Sequence, residues 1–354
     1  MLRQLARLTR SLPAAGEDAM GVAVYADAAD ALVSARESGW EGVACVDDAA
    51  RSLDVLCEVW TRTNDETVER WARGVLDFVL WMQEPDGRWV NFVYDWGGTR
   101  NEAGLTSSVG ENFWQARALL GVANAWHAFG DERALESFRR GFQHAEAKPA
   151  PPDVRALHVA AAWRMRDELD TDRAMTSIRG WAHEIADLCI DGVLMNNPDE
   201  RGTPHLWAHI QEGVLAQVTG PLEDPALLET ARTSAERLLV PVVRDGFAAP
   251  STSPYDVASV IWSLDRMREV DGEPWAGLAT AARTWFDGRN TAGAPVYDRA
   301  RGRVADGIDD GRISANSGAE ANLVAAQALM EEAVAIVGTS DLGDLLPPAV
   351  APNG

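Results

Sequence analysis

The sequence predicts an all-α protein, an (α/α)6 toroid of six helical hairpins with short β-like loops at its mouth. Three observations carry that prediction. Apolar residues recur at i, i+3, i+4 and i+7 along nearly all of the 354 residues. The periodic segments number twelve, enough for six hairpins, and their short connections make neighbours antiparallel. The segments also form two alternating classes, told apart by how they begin.

The helices are expected at 19–36, 47–62, 65–83, 111–129, 132–146, 152–169, 173–189, 205–219, 225–241, 254–269, 274–287 and 317–337. DGRWVNFVYDWGG (86–98) interrupts them, alternating like a short strand and turning at Gly97 and Gly98. YDRARGRVADG (297–307) is a second extended loop. Residues 1–18 read as a partly flexible N-terminal segment, 19–338 as the toroid and 339–354 as a tail.

Odd-numbered helices open with ordinary acidic residues, as in NDETVERW (64–71) and DERALESF (131–138). Most even-numbered ones open with denser motifs: VDDAAR (46–51), GENFWQAR (110–117), PHLWAHIQEG (204–213), SPYDVAS (253–259) and NSGAEANL (316–323). In an alternating toroid all even helices point the same way, so these motifs would gather at one rim.

Composition narrows the function. A net charge of −22 argues against nucleic-acid and anionic-membrane partners, which need clustered Lys and Arg. No uncharged apolar run reaches the length of a membrane span and no secretory signal precedes the domain, so a cytoplasmic protein is expected. Three cysteines form no C-x-x-C pair, and Cys45 and Cys57 read as packing residues.

Taken singly, the acids read as helix caps. Ser108-Val-Gly-Glu111 and Ser317-Gly-Ala-Glu320 fit the capping box, and Ser253-Pro-Tyr-Asp256 fits it more loosely. Asp47 fits an N-cap, with Asp48 in the first turn and Arg51 four residues on to pair with Asp47. Taken together, they supply what glycosidic bond cleavage needs: one carboxylic acid for the leaving oxygen and one carboxylate for water or the sugar. A helix N-terminus favours the charged carboxylate, which suits Asp48 or Glu111 as base. Asp95, between Tyr94 and Trp96, suits the general acid. Arg51, Arg117, Asp47, Asp256 and Glu320 would position sugar, and Trp89, Trp96, Trp114 and Trp207 would stack on it.

His205 and His209 are four apart, with Glu212 three further on. No third distant ligand and no H-E-x-x-H accompanies them, so no metal is expected, and no cofactor. His205 and His209 are instead candidate sugar-binding groups in the cavity, and as proton carriers they would serve a sugar epimerase or isomerase, the alternative to hydrolysis. A non-catalytic glycan-binding module is the third reading.

The order VDDAAR, DGRWVNFVYDWGG, Glu111 to Leu119 with its Arg-Ala-Leu, then YDRARGRVADG and NSGAEANL resembles bacterial six-hairpin, glycosidase-like domains, over about residues 40–330. Relatives of that group occur attached or adjacent to glycosyltransferases. The resemblance implies an (α/α)6 fold, an oligosaccharide or glycoconjugate substrate, a link to a glycosyltransferase pathway, and Asp47, Asp48, Asp95, Glu111 and Glu320 as the matching acids. Ala321 and Asn322 stand where that group's last motif has Ser or Thr.

Overall fold

A computed structural model of the chain describes residues 1–33, 41–110, 112–273, 275–339 and 342–348. The helices are α1 (Leu2–Leu8), α2 (Val46–Thr63), α3 (Glu66–Trp81), α4 (Phe113–Phe129) and α5 (Glu132–Ala147). There follow α6 (Pro152–Arg164), α7 (Thr171–Asp187), α8 (Gln211–Leu222), α9 (Pro225–Ser234) and α10 (Val240–Arg244). The last are α11 (Pro254–Asp271), α12 (Trp275–Arg283), α13 (Ala319–Ala328), α14 (Met330–Ile336) and α15 (Leu342–Leu345).

The chain forms two compact units. The first comprises the described residues of Met1–Lys148, Asp298–Asp306 and Ala315–Gly354, and the second Pro149–Tyr297 and Gly307–Ser314. Each contains three helix pairs: α2/α3, α4/α5 and α13/α1 in the first, α6/α7, α8/α9 and α11/α12 in the second. Within the first unit α2 packs on α4 and α13; within the second α8 packs on α6 and α11.

These central helices differ from their partners in burial. Pro152 to Ala162 of α6 are buried without a break, whereas α7 buries only Ala174, Ile178, Trp181, Ala182 and Ile185, a single stripe at helical spacing. The caps differ in the same way. Asp65, Asp131, Asp170 and Asp224 each cap α3, α5, α7 and α9 by accepting a backbone N–H of the first turn. The central helices start instead at Cys45, Asn112, Pro151, Ile210, Ser253 and Gly318.

Two polar layers tie the central helices of the first unit. Arg117 of α4 meets Asp47 of α2, and Arg51 of α2 meets Glu320 of α13. Seven residues further along each helix, Asp54 accepts from Asn124 at 2.7 Å and from Gln327 at 2.5 Å. The common step of seven means that α2, α4 and α13 run in the same direction, with layers about 10 Å apart.

The described part of the segment 19–36, up to residue 33, is not a helix. Met20–Val22 pairs with Thr9–Ser11, and Tyr25–Ala26 pairs with Leu32–Val33. Asp27 makes the turn, its Oδ1 accepting from Ala29 N and Ala31 N, and Asp30 adopts a φ of 61°. Residues 34–40 lie outside the described set. The helix that completes the sixth pair is α1, in the segment expected to be flexible; its Leu2, Leu5, Ala6 and Leu8 are buried. The segment 205–219 becomes helical only at Gln211, because Ala208 at φ 58° turns the chain before it. The segment 225–241 is broken by a π-helical turn at Ala235–Leu239, just before Pro241, which has no N–H to continue the ladder.

Candidate functional site

The start of α2 builds the first site. Its free N–H groups are taken, though not by aspartates. Asp48 N bonds Cys45 Sγ at 3.4 Å, Asp47 N bonds Asn91 Oδ1 at 3.1 Å and Val46 N bonds Asn91 O at 2.8 Å. Asn91 belongs to the predicted extended loop, whose Phe92–Val93 pairs antiparallel with Ala44–Cys45. Asp47 is therefore not the N-cap, and both aspartates keep their carboxylates for other partners.

Those partners are arginines. Arg51 Nη1 lies 2.8 Å from Asp48 Oδ1 and 3.2 Å from Asp47 Oδ2, and its Nη2 lies 3.0 Å from Glu320 Oε2. Arg117 takes the other oxygen of Asp47 and lies over the Phe113 ring. Oxygens of Asp47, Asp48 and Glu320 fall within 4.8 Å of one another, the spacing of a cation site. Here the cation in contact with all three is the Arg51 guanidinium.

The environments separate the acids. Burial pushes Asp48 up to about 7, helped by the charges of Glu320 and Asp47 and opposed by Arg51. Burial also pushes on Asp47, but Arg117 and Arg51 outweigh it and hold that carboxyl below its usual range. The Glu320 side chain is 48% exposed, against 5% for Asp48, so it is the outward face of the cluster. Tyr25, half-exposed beside these acids, is pushed upward by burial and by the charges of Glu41, Asp48, Cys45 and Glu320.

Other expected site residues stand differently. Asp95 accepts from Thr99 N with its carboxylate and from Gly98 N with its backbone, the pattern of a turn aspartate. Glu111 lies outside the described residues, and with it half of the Ser108 capping box; α4 takes its cap from Asn112. The Ser317–Glu320 box is not formed. Gly318 is the N-cap of α13, Ser317 accepts from Asn322, and Glu320 is spent on Arg51. The looser match is the real box: Ser253 and Asp256 bond reciprocally, which occupies Asp256 with helix capping.

The tryptophans also divide. Trp89 is fully buried, its Nε1 donating to Val79 O and its ring against Gly141, so it presents no face for stacking. Trp114 donates to Trp89 O at 3.2 Å and anchors the loop that carries Asn91. Trp96 lines a cavity of about 540 Å³ with Thr9, Arg10, Ser11 and Leu345 to Pro348, a lining that contains none of the acids.

The second unit holds a separate group. His209 is fully buried; its Nδ1 meets Asn196 Oδ1 at 2.7 Å and its Nε2 meets Glu212 Oε1 at 2.9 Å. Ser234 and Gln211 complete this buried network. Burial would raise Glu212, but His209 and Ser234 outweigh it and hold it below its usual range. His209 is thus locked in the interior. His205 is partly exposed and stacks on Trp207 at 3.8 Å and 6°, with Tyr255 6.3 Å from Trp207. Its Nε2 lies 3.9 Å from Asp153, a buried carboxyl pushed up to about 6 by burial. Burial lowers His205.

Sequence reasoning missed Cys45, Asn91, Tyr25, Asp153 and Tyr255. Asn91 carried a signal, being a polar residue inside an alternating apolar run, and Tyr255 lay in a quoted motif. Asp153 and Tyr25 carried none, because burial and long-range approach set their roles.

No family model and no curated protein matches the sequence. Solved structures do match in fold. A D-mannose isomerase aligns with TM-score 0.69 at 10% identity, over 95% of this chain and 96% of that one. A sugar epimerase from a ruminal bacterium aligns with TM-score 0.66 at 11% identity, over 88% and 92%. The GH76 alpha-mannanase of Bacteroides thetaiotaomicron aligns with TM-score 0.59 at 12% identity, over 85% and 89%. The chain has the (α/α)6 fold of these structures.

Proposed function

We propose that the protein is a glycoside hydrolase working through the carboxylates at the start of α2. Asp48 is the general acid, protonating the leaving oxygen of an oligosaccharide or glycoconjugate. Glu320, half exposed, is the carboxylate that attacks the sugar as the C–O bond to the leaving group breaks. Asp48, its proton given to that leaving oxygen, then takes a proton from the water that releases the sugar from Glu320. Asp47 stays ionised, and Arg51 and Arg117 hold the three acids in place. One observation carries the reading: a carboxyl that keeps its proton to about 7 lies within 4.8 Å of two others, one of them held ionised. The opposite shifts of Asp48 and Asp47 mark Asp48 as the acid of the cluster, exposure selects Glu320 as the carboxylate that meets the sugar, and the close spacing of the three favours the retaining geometry. Asp95 is not carried forward as the acid, since its carboxylate holds its own turn. On a glycan panel, Asp48→Asn and Glu320→Gln are expected to lose about 10²–10⁴-fold in turnover. Wild-type turnover by both would end this reading.

A second reading has its own support. His205 and Asp153 are 3.9 Å apart, the one lowered and the other raised toward a common range, as a proton-moving pair requires. Trp207 and Tyr255 adjoin them as aromatic faces. That pair suits a sugar epimerase or isomerase, the activities that two of the matching structures carry in their names.

A further inference from the structure

We propose that Cys45 is a positioning residue, whose thiol orients the Asp48 carboxyl and sets how readily it gives up its proton. The inference rests on Asp48 as the proton carrier and deepens that reading. Cys45 Sγ accepts from Asp48 N at 3.4 Å and donates to Asp48 Oδ2 at 3.4 Å. This is an N-cap in which a thiol stands where a hydroxyl is usual, bonding both the N–H and the carboxylate of the residue three further on. The chain holds its own comparison, at the same spacing of three residues. At the start of α11, Ser253 Oγ donates to Asp256 Oδ2 at 2.8 Å while accepting from Asp256 N at 3.3 Å. The hydroxyl version is the closer and stronger one, because S–H is a weak donor.

The difference matters at a buried acid. A hydrogen bond to a carboxylate favours its charged form, and a weak bond favours it less. Serine at 45 would help Arg51 draw the proton off Asp48, whereas cysteine leaves the proton in place. The backbone fixes the thiol, since Ala44–Cys45 is paired with Phe92–Val93 and Cys45 is 3% exposed. The thiol also stays protonated, because burial and the charges of Asp48 and Asp47 push it well above its usual value. Among the described residues, Arg51 and Asp47 on α2, Glu320 on α13 and Tyr25 also act on Asp48 or lie within its field. Arg117 on α4 pairs with Asp47.

The test is the titration of Asp48 itself, followed by carbonyl-carbon NMR on aspartate-labelled protein and assigned with Asp48→Asn. It needs no substrate, so a protein without hydrolytic activity would sink the proposed function and leave this measurement standing. Cys45→Ser is expected to move the Asp48 midpoint down by about one pH unit, and Cys45→Ala to move it up. In an active enzyme the basic limb of the pH–rate profile follows in the same directions. Midpoints that do not move, or that move together, overturn the proposal. If Cys45→Ala fails to fold, Cys45→Ser and Cys45→Thr decide between them: a lower midpoint supports the role, and an unmoved or higher one refutes it.

Discussion

Asp48 occupies the third position of α2, where a helix end ordinarily favours a charged carboxylate by about 0.3–1 kcal/mol. Raising a carboxyl from 3.8 to about 7 is an effect on the order of 4 kcal/mol in the other direction. Burial therefore wins, and the expectation that this position makes a base is reversed. The motif VDDAAR showed the position in the helix and could not show the depth. It also suggested Asp47 as the cap, since cysteine is not a residue that announces one. A stability test follows from the same shift. In the unfolded chain Asp48 ionises near 3.9, whereas in the folded one it ionises near 7. Between these values the folded chain keeps a proton that the unfolded one has lost, so rising pH favours unfolding until the loss is complete above 7. Asp48→Asn has no such proton. Its thermal midpoint relative to wild type is expected to rise steadily from pH 4 to pH 8. A constant offset between the two midpoints would show that Asp48 is ionised throughout.

At the scale of elements, the helix periods were legible because most are long and strongly patterned. The alternation of two classes was legible too, and the caps explain it. The covering helices α3, α5, α7 and α9 take local aspartate caps, while α2 and α13 spend acids of their first turns on arginines, those of α2 partly on α4 and that of α13 on α2. The failures have local causes. Segment 19–36 is rich in alanine, yet Asp27 and Asp30 turn it into a hairpin, a side-chain bond outweighing propensity. Close crossings were legible only as glycines inside helical patterns. A Cβ at Gly213 of α8 would come within 2.7 Å of Ser263 Cα on α11, where backbone rather than a flexible side chain must move. Gly213→Ala is therefore expected to destabilise the fold by about 1–3 kcal/mol, measured by urea unfolding, despite alanine's better helix propensity. Unchanged or higher stability would mean that α8 and α11 do not approach this closely.

At the scale of the molecule, the count of twelve periodic segments was enough to predict the fold class, although the sixth pair is completed by α1 rather than by 19–36. The fold does not choose the reaction, since one architecture hosts isomerases, epimerases and hydrolases among the matching structures. The choice must come from the bond that each site is built to break. In the proposed hydrolysis the Asp48–Glu320 cluster supplies an acid for the leaving oxygen and a carboxylate for the sugar, a reaction that breaks C–O and leaves every C–H bond intact. The His205–Asp153 pair joins an imidazole to a raised carboxyl and suits removal of a proton from carbon and its return. Turnover in D2O separates the two. Cleavage at the carboxylate cluster is expected to yield new reducing ends with no carbon-bound deuterium, abolished by Asp48→Asn and retained by His205→Gln. Deuterium on carbon without new reducing ends, lost in His205→Gln and kept in Asp48→Asn, would transfer the chemistry to the second unit and leave the acids at the start of α2 with the structural task of joining α2, α4 and α13.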